Sequence, residues 1–300
     1  MPHRLVTCAI IGFWLGTMGY LVVREWHQRG QAPPILAEVV AQASKQPVEW
    51  HVFRRNRGPD GNWESPVSVG TVVSYLQRDE ANNVTSIVHQ LELDVGQIWH
   101  HWPLTESAGP LRMESRLEIG LFGEIQRLRI VGGWMAWSRW LLLADLVPRP
   151  DHQAILRFML NLPGGVWRQE YLVPWSNQSL PLNSLGPPDQ IPQLRPGQRW
   201  TISSLDIVGF SGSPGAATAG LVLPQAVSLT WEGHGYTCLV VQFQRAGLEA
   251  EWWVAQDEPV RHWVLQQVVR WSDTELTLVR QSECRRQDLL VPPSWFYRLP

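Results

Sequence analysis

The chain has 300 residues, 44% of them hydrophobic and 17% charged, with 25 basic against 27 acidic side chains and a formal charge of −2. That apolar content excludes a disordered chain, and the near-neutral balance of scattered charges excludes the electrostatic footprint of a nucleic-acid binder. The chain carries 18 Trp, a residue that supplies large buried area plus one N–H donor and suits cores, protein interfaces and membrane boundaries alike.

In chain order, the first element is an unbroken apolar run from Leu5 to Val23. At about 1.5 Å of rise per residue it is long enough to cross a hydrocarbon core about 30 Å thick. Its exit, Val22-Val23-Arg24-Glu25-Trp26-His27, offers a signal peptidase nothing small, so the expectation is a retained signal anchor. A short head before a large domain places the N-terminus in the cytoplasm. The bulk of the chain is then on the extracytoplasmic side of the inner membrane of a bacterium. Within the run, Gly12 and Gly16 form a GxxxG pair with Gly19 one turn on, a face that lets a second helix approach closely; glycine is also simply frequent in membrane helices.

Pro33-Pro34 follows, and Ile35, Leu36, Val39, Val40 and Ala43 repeat with helical spacing, which predicts a short juxtamembrane helix within residues 27–47. From Trp50 the period becomes two. Ile87, His89, Leu91, Leu93 and Val95 oppose Gln90, Glu92 and Asp94; Leu111, Met113, Leu117 and Ile119 oppose Arg112, Glu114, Arg116 and Glu118. Leu128 and Ile130 alternate with Arg127 and Arg129, and Leu156, Phe158 and Leu160 with Arg157 and Asn161, before a strand from Val166 to Val173. These are half-buried antiparallel strands. Trp134, Trp137 and Trp140 fit either an interfacial helix resting on the membrane or bulky neighbours of a strand from Leu141 to Val147; the strand is preferred.

Residues 176–197, rich in Pro, Gly, Asn and Ser, read as a long surface connection between a first β subdomain, 48–175, and a second, 198–300. Residues 209–220 read as a small-residue loop. Beyond it, Val227, Leu229 and Trp231 form one face before a Gly233-His234-Gly235 turn. Four strands around Leu239–Phe243, Leu248–Ala255, Arg261–Trp271 and Glu275–Arg280 then make a meander. The fold class is therefore mainly β: a single transmembrane helix (residues 1–26 with its tip) followed by long antiparallel strands in a curled sheet, half-barrel or two β subdomains.

The turn Leu194-Arg195-Pro196-Gly197-Gln198-Arg199-Trp200 and the meander with Trp252-Trp253-Val254, Asp257 and Val260 to Leu265 resemble bacterial membrane-anchored extracytoplasmic β-rich proteins, which are distantly similar to the half-barrels of the Lol lipoprotein-sorting family. The resemblance spans residues 70–280, and Glu258-Pro259 stands where such sequences usually turn on Gly. It implies an apolar concavity that takes acyl chains. Leu91, Leu117, Leu128, Phe158, Trp231, Leu239, Trp252 and Trp263 are the side chains that would line such a face, and equally those of an ordinary core.

No catalytic, cofactor-binding or metal-ligating residue is assigned. Gly209-Phe210-Ser211-Gly212-Ser213 lacks the last glycine of a nucleophile elbow, and His100-His101 on a strand would point to opposite faces. The acidic residues alternate with Arg, as cross-strand ion pairs do. Cys238 and Cys284 could pair in an oxidising compartment. The expected function is a non-enzymatic, membrane-tethered binding or assembly subunit with a protein partner in the membrane or envelope. The alternative is a tethered carrier of lipid, and a hydrolase ranks last.

Overall fold

Side-chain alternation turns most of the described chain into strands. A computed structural model describes residues 45–98, 109–121, 123–135, 141–162, 164–175, 186–203, 217–245 and 248–291, together with Val40. The strands are β1 (Val48–Asn56), β2 (Val67–Asp79), β3 (Val84–Leu93), β4 (Leu111–Ile119), β5 (Ile125–Trp134), β6 (Leu142–Pro148), β7 (Gln153–Leu162) and β8 (Gly165–Pro174), then β9 (Arg199–Ser203), β10 (Ala217–Val222), β11 (Val227–Trp231), β12 (His234–Arg245), β13 (Leu248–Ala255), β14 (Val264–Trp271) and β15 (Thr274–Arg280).

All fifteen join one antiparallel sheet, in the order β8-β7-β6-β5-β4-β3-β2-β1-β15-β14-β13-β12-β10-β9, with β11 paired to β12 beside that path. The described strands start at the centre with β1, step outward hairpin by hairpin to β8, resume at the opposite end with β9, and step back until β15 seals against β1. That seal runs from Trp50 opposite Arg280 to Asn56 opposite Thr274. The two strand-rich stretches are thus halves of a single sheet. The sheet does not close into a barrel, because its terminal strands β8 and β9 are not paired with each other.

One face carries the core. Its rows run continuously from strand to strand: Arg280, Trp50, Val72, Leu91, Met113, Gly132, Leu142, Leu160 and Trp167 lie side by side from β15 to β8. A second row runs Leu76, Ile87, Leu117, Leu128, Leu146, Leu156 and Tyr171. Apolar residues in directly opposed positions bury one another's flanks, and this stabilises the register, since a slip of one residue would send each row to the other face. Around β1 the core gathers Trp50, Val52, Val72, Leu239, Trp252 and Leu278. A second cluster joins Leu117, Leu128, Ile130, Leu146 and Leu156. A third, of Trp231, Cys238, Val260 and Leu265, lies on the other face, since Cys238 and Ala255 alternate with Leu239 and Val254 of the first cluster.

Glycines appear where backbones or rings come close. A Cβ on Gly70, at the bulge in β2, would sit 2.2 Å from the Glu92 carbonyl oxygen. One on Gly220 would sit 2.4 Å from the Trp200 indole. This explains a departure from the sequence reading: residues 217–220 belong to β10 rather than to a loop, their small side chains making room for Trp200. The apolar run Leu5 to Val23, with Gly12, Gly16 and Gly19, lies outside the described residues. Among the described residues no helix is long and apolar enough to cross a membrane.

Candidate functional site

The described part of the connection from β8 to β9, residues 186–198, packs against the core face in the middle of the sheet. Its residues 189–191 add to the start of β14: Val264 N–H donates to Asp189 O (3.0 Å) and Ile191 N–H to His262 O (2.9 Å). Arg280 holds this segment in place, its guanidinium donating to the Asp189 carboxylate and, at 3.1 Å, to Asp189 O. The guanidinium lies 4.0 Å over the Trp263 ring and 5.7 Å from that of Trp50. Burial pulls the Arg280 pKa down, and Asp189 opposes the shift. Downstream, Pro196 and Gly197 make a type II turn. Gly197 is at φ +76°, Gln198 N–H donates to Arg195 O, and the Gln198 side-chain carbonyl accepts from Arg195 N–H at 3.1 Å. The Leu-x-Pro-Gly-Gln-x-Trp segment is therefore a structural device that delivers Trp200 into the core beside Phe243.

On the core face, Ser74 and His89 are the one Ser–His hydrogen bond among the described residues, Oγ to Nδ1 at 2.6 Å. Both are buried, and burial pushes His89 down to about 4. A Cβ on Gly186 would lie 2.9 Å from His89 Nδ1, so the connection caps this pair. No carboxylate joins them among the described residues. Among the described residues the hydroxyl faces packed neighbours, and the pair is buried in the sheet's core face.

The opposite face carries the third apolar cluster beside β11 and β12 and, along the rest of the sheet, a band of ion pairs. Glu275 accepts from Arg55 (2.5 and 2.9 Å) and Arg270 (2.8 Å), and Arg270 reaches Glu251 (3.1 Å), which accepts from the Gln242 amide. Burial works against the charge of Glu275, yet the two arginines hold its pKa below the ordinary value. Further along, Arg127 grips Asp145 through two bonds, Arg116 pairs with Glu114, and Arg112 and Arg286 share Glu92. For Glu114 burial wins and the pKa rises. Glu49, Glu114, Asp145 and Glu275 are all buried. Long arginine stems cover the shorter acids, so this face is drier than strand alternation alone implies.

Near the β9 end, a groove of about 620 Å³ lies over β9, β10 and β12, lined by Arg199, Thr201, Leu221, Gln242 and Gln244. These groups can bind polar atoms, but they include neither an acid–base pair nor a nucleophile with its base. Among the described residues no group of three or more His, Cys, Asp or Glu is close enough to hold a metal ion.

The eight side chains proposed for an apolar ligand face are divided among the three clusters. Leu91, Leu239 and Trp252 belong to the first, Leu117 and Leu128 with Phe158 to the second, and Trp231 with Trp263 to the third. None of them lines the groove. Trp134 ends β5 and is 3% exposed, packed against Leu111 and Leu141, and β6 supplies the strand expected after it. Trp137, Trp140, His100, His101 and Ser211 lie outside the described residues. Cys238 and Cys284 are both free. Cys238 sits on β12 among Trp231, Ala255 and Val260, and burial raises its thiol to about 12, whereas Cys284 lies beyond β15 near Glu49.

What alternation alone does not reveal is the edge. The core rows end at β8 with Trp167 and Tyr171, 46% and 42% exposed, while Val166 and Leu172 on its other face are 48% and 57% exposed. β8 is thus a ten-residue edge strand with exposed apolar side chains on both faces, paired to β7 on one side and, among the described residues, to no strand on the other. The signal in the sequence was the alternation of Val166, Arg168, Glu170 and Leu172 with Trp167, Gln169 and Tyr171. It marks a strand but not its place in the sheet. The chain matches no known protein-family model and no curated protein.

Proposed function

We propose that this chain is a non-enzymatic binding or assembly subunit of a bacterial envelope complex. It is held to the inner membrane by the helix Leu5 to Val23, with its β sheet on the extracytoplasmic side. The observation that carries the reading is the open edge: a strand as long as β8, carrying Val166, Trp167, Tyr171 and Leu172 into solvent, is a liability to a protein that works alone and a connector to one that works in an assembly. The glycine face of the anchor offers a second contact in the membrane. The sheet curls about its core face in half-barrel style, filled by its own side chains. Division of the apolar candidates among three packed clusters favours this reading over a lipid carrier, which needs a hollow.

The test is the mass of the full-length protein solubilised in mild detergent from its native membrane. A stoichiometric assembly, of copies of itself or with a defined partner, is expected. A monomer with no co-purifying protein overturns the proposal.

A further inference from the structure

Resting on the assembly reading above, we infer that β8 pairs with β8 of a second copy of this chain, antiparallel about a two-fold axis at Gln169, so that two sheets become one.

The backbone sets which registers are open. Trp175 N–H donates to His152 O at 2.9 Å, in register with the β7–β8 ladder from Gln153 opposite Pro174 to Leu162 opposite Gly165. Hydrogen-bonded positions alternate along an antiparallel pair, so the odd-numbered residues of β8 turn their N–H and C=O toward β7. Val166, Arg168, Glu170 and Leu172 therefore turn theirs outward. A symmetric partner must bring its own even-numbered residues opposite these four.

Charge then selects among the allowed registers. Centring the axis on Arg168 or on Glu170 places that charge against its own copy. Centring it on Gln169 places Arg168 opposite the partner's Glu170 and Glu170 opposite the partner's Arg168, both as hydrogen-bonded backbone pairs. The same register sets Val166 opposite Leu172 on that face and Trp167 opposite Tyr171 on the other, so each exposed apolar side chain of the strand meets an apolar one. Opposite charges and aromatic pairs directly across an antiparallel ladder stabilise it, and like charges destabilise it.

The pairing also completes what the sheet leaves unfinished. On the charged face the row Arg129, Asp145, Arg157, Glu170 alternates in sign up to the edge, with Arg157 and Glu170 bonded at 2.8 Å. The partner's Arg168 is the next positive charge, and Arg168 has no ion-pair partner among the described residues. On the core face the rows that end at Trp167 and Tyr171 run on into the partner's Tyr171 and Trp167. The interface is isologous and closes at two copies through this edge.

The experiment uses full-length protein in detergent, with sedimentation to read dimer dissociation and thermal unfolding to check each variant's fold. Arg168→Glu and Glu170→Arg each place like charges opposite one another, and each is expected to raise the dissociation constant about tenfold or more. The double variant R168E/E170R restores opposite charges and is expected to return near the wild-type value. Loss of the Arg157 contact does not mimic this pattern, because that exposed pair contributes little and the double variant lacks it too. Gln169→Cys, in a C8S/C284S background, is expected to form an intermolecular disulfide on mild oxidation, since the Cα atoms of a non-hydrogen-bonded pair approach to about 4.5 Å, within disulfide range. Dimers that ignore the charge changes and fail to cross-link at position 169 overturn the β8 pairing while leaving the assembly reading in place, with the anchor helix as their contact. A monomer bound to a different defined protein does the same. A monomer with no partner overturns both.

Discussion

Removing the carboxylate of Asp189 is expected to be among the most damaging single changes in the protein. Arg280 is 4% exposed and Asp189 9%, and the pair fixes the β8–β9 connection to the centre of the sheet. In Asp189→Ala the guanidinium stays buried between Trp263 and Trp50 without its counter-charge, and its Nε has no partner already. A buried charge stripped of its partner costs about 3–5 kcal/mol. With a urea slope of about 3 kcal/mol/M for a chain of this size, the unfolding midpoint drops by about 1–1.7 M. The double variant Asp189→Ala/Arg280→Met removes both charges and keeps an apolar side chain of similar length. It is expected to recover most of the loss, less about 1–2 kcal/mol for the cation–π contacts with the Trp rings. Equilibrium urea unfolding followed by far-UV circular dichroism measures all three. A cost below about 1 kcal/mol for Asp189→Ala, or a double variant less stable than Asp189→Ala alone, would refute the view that this ion pair anchors the connection.

Gly220→Ala is expected to destabilise by about 1–3 kcal/mol, because a Cβ 2.4 Å from the Trp200 indole forces that ring off Phe243; loss of near-UV circular dichroism together with a lower urea midpoint reports it. His89 makes stability pH-dependent. Its folded pKa of about 4 lies below the ordinary 6.5, so the unfolded chain binds the proton first as pH falls. Its contribution is complete above pH 6.5 and is lost progressively toward pH 4, about 3 kcal/mol in all. In His89→Gln the slope of stability against pH over that window flattens, and an unchanged slope would show that another group carries it. Glu275, whose folded pKa is depressed by Arg55 and Arg270, adds a second loss: as pH falls through the ordinary carboxylate range the unfolded chain takes up the proton first, so its contribution begins to fall there and is gone below the depressed folded pKa, a loss expected to be blunted in Glu275→Gln.

Much of the fold was legible because the physics behind it is local. Period-two alternation located β3, β4, β5, β7, β8 and the β12–β15 meander, since each of these strands buries one face and wets the other. The entry of the chain into β9 and β10 was harder to read: Ala217 to Gly220 offers no large apolar side chain to alternate, and that strand exists because its smallness accommodates Trp200. The extent of the sheet was also illegible. Alternation is blind to strand order, and only the pairing of β1 with β15 reveals that the two halves are one sheet with β8 and β9 at its ends. The buried acids of the charged face were named as ion-pair members, but nothing in their spacing tells how far Arg55, Arg116 and Arg127 fold over them. The edge site required both kinds of knowledge. Its residue pattern was visible, and its exposure depends on where the crossover leaves β8.

Whether the outer edge of the sheet is the docking element is tested most directly by a proline at an outward-facing position. Arg168→Pro removes one outward N–H and leaves the ladder to β7 intact, a substitution edge strands tolerate. The mass of full-length protein in detergent, compared between wild type and this variant, is the measurement. The prediction is that wild type assembles and the variant, with an unchanged melting temperature, is displaced toward monomer. Equal assembly of the two proteins would contradict it.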